Sequence, residues 1–201
     1  MKVEVCPQCG APAGASAKAC EFCRAAFLVT SVSYLGRFDK DGVNKYLNLY
    51  KGMVKAAPED GDSQFALGLC YLHLRLFDLA IRHFGRAVEL MPESSDVYYY
   101  YALAMIRGRR PKTLSLNEVR QIEEYVSSAM QLDGTRAKYN YLAAILKYDY
   151  YLANGLRVPD PSAEELLTEA STKDHEGDEV ERLLDSVVLR DEALVSAIRR
   201  A

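Results

Sequence analysis

Two prolines, Pro58 and Pro92, lie 34 residues apart, and each closes an apolar helical stretch: YLNLYKGMVKAAP in the first case, IRHFGRAVELMP in the second. A proline cannot continue a helix, because it lacks the N–H and its ring clashes with the preceding turn. Self-similarity at this period marks a helix-turn-helix unit that cannot bury its apolar face alone and must stack on a neighbour. The repeat therefore commits most of the chain to helical hairpins.

Between the prolines runs QFALGLCYLHLRLFDLAIRHFGRAVELMP. With Leu67-Gly68, Tyr71, Ala80, Phe84, Ala87 and Pro92 in register, residues 61–94 resemble a tetratricopeptide repeat, with Gln64 standing where the family's leading Trp would be. Gly68 and Ala80 are small where two antiparallel helices must approach closely. Looser units flank this one. Residues 42–58 supply the second helix of an earlier unit, with Tyr46, Tyr50 and Met53 on one face. SSDVYYYYALAMI, capped at Ser95 or Asp96, opens a following unit that closes with LNEVRQIEEYVSSAMQLD after a longer loop containing RGRRPKTLS. RAKYNYLAAILKYDYYLANG, ended by Gly155, and PSAEELLTEAS, with a Ser162/Glu165 capping box, form the third. The last segment, GDEVERLLDSVVLRDEALVSAIRRA, reads as one amphipathic helix capping the open end.

The resemblance implies a concave face built from the first helix of each pair. In this register Phe65, Tyr99 and Tyr141 form one inward row and Leu69, Leu103 and Ile145 a second, a groove suited to an extended peptide or an amphipathic helix of a partner protein. Segment 27–38 or the C-terminal helix can also fill it. Of the tyrosine run, Tyr98 and Tyr101 are expected in the core and Tyr99 in the groove.

The N-terminus carries CPQCGAPAGASAKACEFC, in which the pairs Cys6/Cys9 and Cys20/Cys23 flank ten residues rich in Ala, Gly and Ser. Paired Cys-x-x-Cys in a reducing compartment binds metal more often than it forms disulfides. Two such knuckles complete a closed tetrahedral site for one structural Zn2+. The stretch resembles the short zinc ribbons at the ends of many bacterial proteins, which implies Cys6, Cys9, Cys20 and Cys23 as the four ligands. Arg24 stands where that family has Gly. Cys70, in a helical pattern, reads as a small core residue.

The expected fold class is thus all-α, a tetratricopeptide-like helical-hairpin solenoid with a small N-terminal zinc ribbon. Its parts are the ribbon (1–30), a linker or strand (31–41), helical repeats (42–175) and a capping helix (176–201). A net charge of −3 gives no global reason to bind nucleic acid or an anionic membrane. Residues 1–30 hold only Lys2, Lys18 and Arg24 against Glu4 and Glu21. No stretch is apolar for long enough to span a bilayer and no export signal is in view, so the expected compartment is the cytoplasm. The three histidines sit in no catalytic motif, and no phosphate-binding loop or HExxH occurs. The functional expectation is a non-enzymatic scaffold that binds a protein or peptide. The alternative is a nucleic-acid-associated adaptor, with the ribbon and the basic loop of Arg107, Arg109, Arg110 and Lys112 forming one surface.

Overall fold

The structure, a computed structural model, describes residues 3–14, 17–175 and 178–200. Lys2 of the ribbon and Glu176 and Gly177 of the expected capping segment lie outside them. The protein is all-α, built of tetratricopeptide-like helical hairpins behind a four-cysteine module. Among the described residues the only β-pairing is isolated bridges, and no helix is long and apolar enough to cross a membrane. The chain forms two compact units, Met1–Pro92 and Glu93–Ala201.

In the first unit the ribbon leads into α1 (Val32–Leu35), α2 (Lys40–Ala56), α3 (Gly61–His73) and α4 (Phe77–Leu90). Residues 31–41, expected as a linker or strand, open with α1 because the Ser31 hydroxyl accepts from the Tyr34 N–H and caps a short helix. Helices α3 and α4 form the central hairpin. A Cβ built on Gly68 would stand 2.6 Å from Cε1 of Phe84, so only glycine permits this approach. Gln64 fills the place of the family's Trp with polar bonds in place of ring contact: its Nε2 donates to the Pro58 carbonyl at 2.8 Å, and its Oε1 lies 2.8 Å from His83 Nδ1.

The second unit pairs α5 (Ser95–Ile106) with α6 (Leu116–Leu132) and α7 (Ala137–Leu146) with α8 (Ala163–Ala170). A 3₁₀ turn (Pro111–Thr113) occupies the long loop, and a Ser115/Glu118 capping box starts α6. The Ser162/Glu165 box starts α8. Beyond α7 the chain continues as a π-turn (Lys147–Tyr151) and a 3₁₀ turn (Leu152–Asn154), and Gly155 stops it in the left-handed conformation at φ 68°. The last segment is two helices, α9 (Glu179–Ser186) and α10 (Glu192–Arg200), rather than one. The β-branched Val187 is extended, and Asp191 opens a fresh helix by accepting the Leu194 N–H at 2.9 Å. Tyr98 and Tyr101, expected in the core, are half-buried and pack on Tyr125, while Tyr99 and Tyr100 are the buried pair.

Candidate functional site

The two cysteine knuckles are one structure used twice, 14 residues apart. In the first, Cys6 N–H donates to the Ala11 carbonyl, Gly10 N–H to the Cys6 carbonyl and Ala13 N–H to the Glu4 carbonyl, around a Val5/Pro12 bridge. In the second, Cys20, Arg24 and Phe27 donate to Ala25, Cys20 and Lys18, around an Ala19/Ala26 bridge. The turn demands a left-handed residue at the fifth position, just after the second cysteine. Gly10 supplies it at φ 75°, and Arg24 adopts it at φ 61°, so the departure from the family pattern leaves the turn intact.

These turns bring Cys6, Cys9, Cys20 and Cys23 together with all four sulfurs within 4.8 Å of one another. Cys6–Cys23 and Cys9–Cys20 stand at 3.6 Å, and all five cysteines are free thiols. A tetrahedron with bonds of about 2.3 Å has sulfur–sulfur edges of about 3.8 Å, whereas a disulfide requires about 2.0 Å. The spacing fits a four-thiolate ion site. The backbone N–H of Cys23 holds the Cys20 thiol down at about 6. Cys23 is itself pushed up to about 12: the Ala25 backbone N–H lowers it, but burial and the neighbouring sulfurs outweigh that. Sulfurs so close cannot all ionise without a cation among them. With every position taken by thiolate, such a site organises structure and leaves no place for a substrate.

The ribbon does not hang free. Val3, Cys6, Cys20, Ala25 and Phe27 share a small core with Leu49 and Met53 of α2. Three tyrosines then grip the segment that leaves the second knuckle. Tyr34 Oη accepts the Ala26 N–H at 2.7 Å, Tyr46 Oη donates to the Ala26 carbonyl at 2.7 Å, and Tyr50 Oη accepts from Val29 N–H and donates to the Phe27 carbonyl, both at 2.9 Å. Gln8 Nε2 donates to the Gly42 carbonyl, and Lys45 Nζ to the Gln8 carbonyl. The sequence placed Tyr46 and Tyr50 on one face of a helix, and that spacing was the available signal for the clamp. Phe22, 72% exposed at the tip of the second knuckle, is the ribbon's outward apolar point.

All six groove positions are buried. Phe65 and Leu69 are buried in α3, where Phe65 packs on Phe84 and α1 lies against the helix. Tyr99 and Leu103 of α5 and Tyr141 and Ile145 of α7 are buried in the second unit, where α9 lies against α7. The chain's own segments cover these faces, because aromatic rows of this size are costly to leave wet.

Under α9 lies a charged cage the sequence did not disclose. Lys138 Nζ, 3% exposed, bonds Glu179 and Asp96 at 2.7 Å each and sits 5.2–5.6 Å from the ring centres of Tyr99, Tyr100 and Tyr139. Arg136 reaches the same Glu179 carboxylate at 3.3 Å. The signal was a lysine within the aromatic run AKYNYLAAIL. Burial drives the Tyr99 hydroxyl well above its ordinary range.

The basic loop is also engaged. Arg110 holds the buried Asp149 carboxylate through Nε and Nη2 at 2.7–3.1 Å, Arg109 pairs with Glu118 at 2.5 Å, and Lys112 Nζ donates to the Ala153 carbonyl. Arg109, Arg110 and Lys112 thus serve the fold, which weakens the nucleic-acid alternative. A cleft of about 590 Å³ lies between α6, α7 and residues 159–166. Its apolar wall is Val126, Met130 and Leu146, and its polar end is Glu123, bonded to Lys147 and Tyr151. Cys70 is pushed up to about 12 by burial and stays a protonated core thiol.

No protein-family model matches the chain, and no curated protein matches it. Among solved structures it is similar to one titled MamA MSR-1 C2, at 19% identity and a TM-score of 0.47, over 70% of this chain and 69% of that one. That likeness is too slight to bear on function.

Proposed function

We propose that this protein is a non-enzymatic interaction scaffold in which a zinc-held ribbon caps the first helical hairpins and the α5/α7 face of the second unit holds a segment of a partner protein. The observation that carries the reading is the use made of the chemistry-bearing residues. The four cysteine sulfurs converge within 4.8 Å of one another, Arg109 and Arg110 of the loop bind the chain's own carboxylates, and the buried Lys138 is tied to α9. Each organises surface or covers it. Free thiols throughout suit a reducing compartment, in keeping with the cytoplasm. Phe22 is where the ribbon would dock on the assembly.

The test is affinity capture by the zinc-loaded full chain, with and without nuclease, across a salt series. The scaffold reading expects a defined protein retained after nuclease and at high salt, and lost in part with Phe22→Ala if the ribbon docks. Capture that disappears with nuclease and falls steeply with salt would replace it by the nucleic-acid reading.

A further inference from the structure

Helix α9 has the features of an occupant rather than of a wall. It spans eight residues, short of the length at which a helix holds in water unaided, and its N-cap Asp178 makes no side-chain cap bond. It lies on α7 with Glu179, Leu183 and, just past its end, Val187 buried at spacings of four, while Glu181 and Asp185 face water. Glu179 anchors it against Lys138 and Arg136. The charge balance beneath is specific. Lys138, buried against three tyrosine rings, is bonded by Glu179 from α9 and by the partly exposed Asp96. A segment that takes the place of α9 keeps this buried ammonium fully paired by bringing a carboxylate to it. Beside it lie the buried rings of Tyr99 and Tyr141 and the His175 imidazole, whose Nδ1 is 3.2 Å from Tyr141 Oη.

We infer that the α5/α7 face under α9 docks an amphipathic helical segment of another protein, carrying an acidic residue followed four positions later by a branched aliphatic one, and that α9 is the resident internal occupant which such a segment displaces. This rests on the scaffold reading and adds the chemistry of the partner and a gate on its entry. Helix α10, joined to α9 through the Arg199–Glu181 pair, leaves with it. A tethered occupant competes at an effective concentration in the millimolar range, so a free segment of equal quality binds weakly until α9 is loosened.

The probe is a fluorescein-labelled peptide of residues 178–188, DEVERLLDSVV, titrated by anisotropy against the zinc-loaded full chain. The expected result is binding at least tenfold tighter to Leu183→Ser than to wild type, and a loss of at least tenfold when the peptide carries Glu179→Gln. In wild type, hydrogen exchange at α9 amides should run at least a hundredfold faster than at α7, a readout that does not depend on the variant folding. Equal exchange in α9 and α7, or a folded Leu183→Ser chain that binds the peptide no better than wild type, overturns the inference. Self-association of Leu183→Ser without peptide binding assigns the face to a second copy and also overturns it. A natural protein partner held equally by wild type and Leu183→Ser would leave the scaffold standing and remove the gate.

Discussion

Replacing Tyr50 with Phe removes a single oxygen that serves two buried backbone groups. The Val29 N–H and the Phe27 carbonyl each lie 2.9 Å from it, and Val29 and Tyr50 are 0% exposed, so water cannot take its place. A buried polar group left without its partner costs about 1–3 kcal/mol. The ring stays packed, which limits the loss to those two groups, and at the lower half of that range, about 1–2 kcal/mol each, they cost about 2–4 kcal/mol together. Tyr46→Phe should cost less, about 1 kcal/mol, because the Ala26 carbonyl it serves is only part-buried. The assay is hydrogen exchange at the Val29 amide of the zinc-loaded chain, which reads the clamp locally. At about 1.4 kcal/mol per factor of ten, exchange should accelerate by roughly 30- to 1000-fold in Tyr50→Phe. A Val29 amide that stays as protected as in wild type would show that the ribbon is held by its apolar contact with α2 and not by the tyrosines.

Three further outcomes follow from the same geometry. Gly68→Ala should destabilise the first unit by about 1–3 kcal/mol in urea unfolding, because its Cβ meets the buried Phe84 ring, and Phe84→Leu in the same chain should recover part of the loss. Arg110→Ala strands the buried Asp149 carboxylate and should cost about 3–5 kcal/mol in the second unit, with Asp149→Asn in the same chain relieving much of it. Stability should also fall at both extremes of pH. Burial raises Tyr46, Tyr50 and Tyr139, so these phenols stay neutral in the fold while the unfolded chain ionises near pH 10; their contribution is full below that pH and is lost above it, as a melting series across pH 8–11 would show. On the acid side the Arg109 guanidinium holds Glu118 down at about 2, so its smaller, solvent-screened contribution is present above the usual carboxylate range and fades as pH falls towards 2.

Local chemistry was legible in the sequence where a feature is made by near neighbours. The cysteine spacing fixes two knuckles because a CxxC turn closes within five residues, and Gly68, Ala80 and Phe84 disclose the central hairpin because close helix contact needs small against large. Even Arg24 obeyed the turn, although its side chain argued against it. What covers the aromatic rows was not legible. Helix α1 reaches α3 across some thirty residues, and Glu179 reaches Lys138 across forty-one, and no periodicity encodes such pairings. The split between α9 and α10 turned on Val187 and Asp191, which an amphipathic pattern running through both helices concealed.

The most direct test of the account is zinc content and sulfur coordination in the purified full chain, by elemental mass spectrometry and X-ray absorption at the zinc edge. The geometry predicts one zinc per chain with four sulfur neighbours at about 2.3 Å, and loss of the metal with exposure of the Val29 amide in Cys20→Ser. A metal-free chain whose Cys20→Ser variant keeps the ribbon folded on α2 would contradict it.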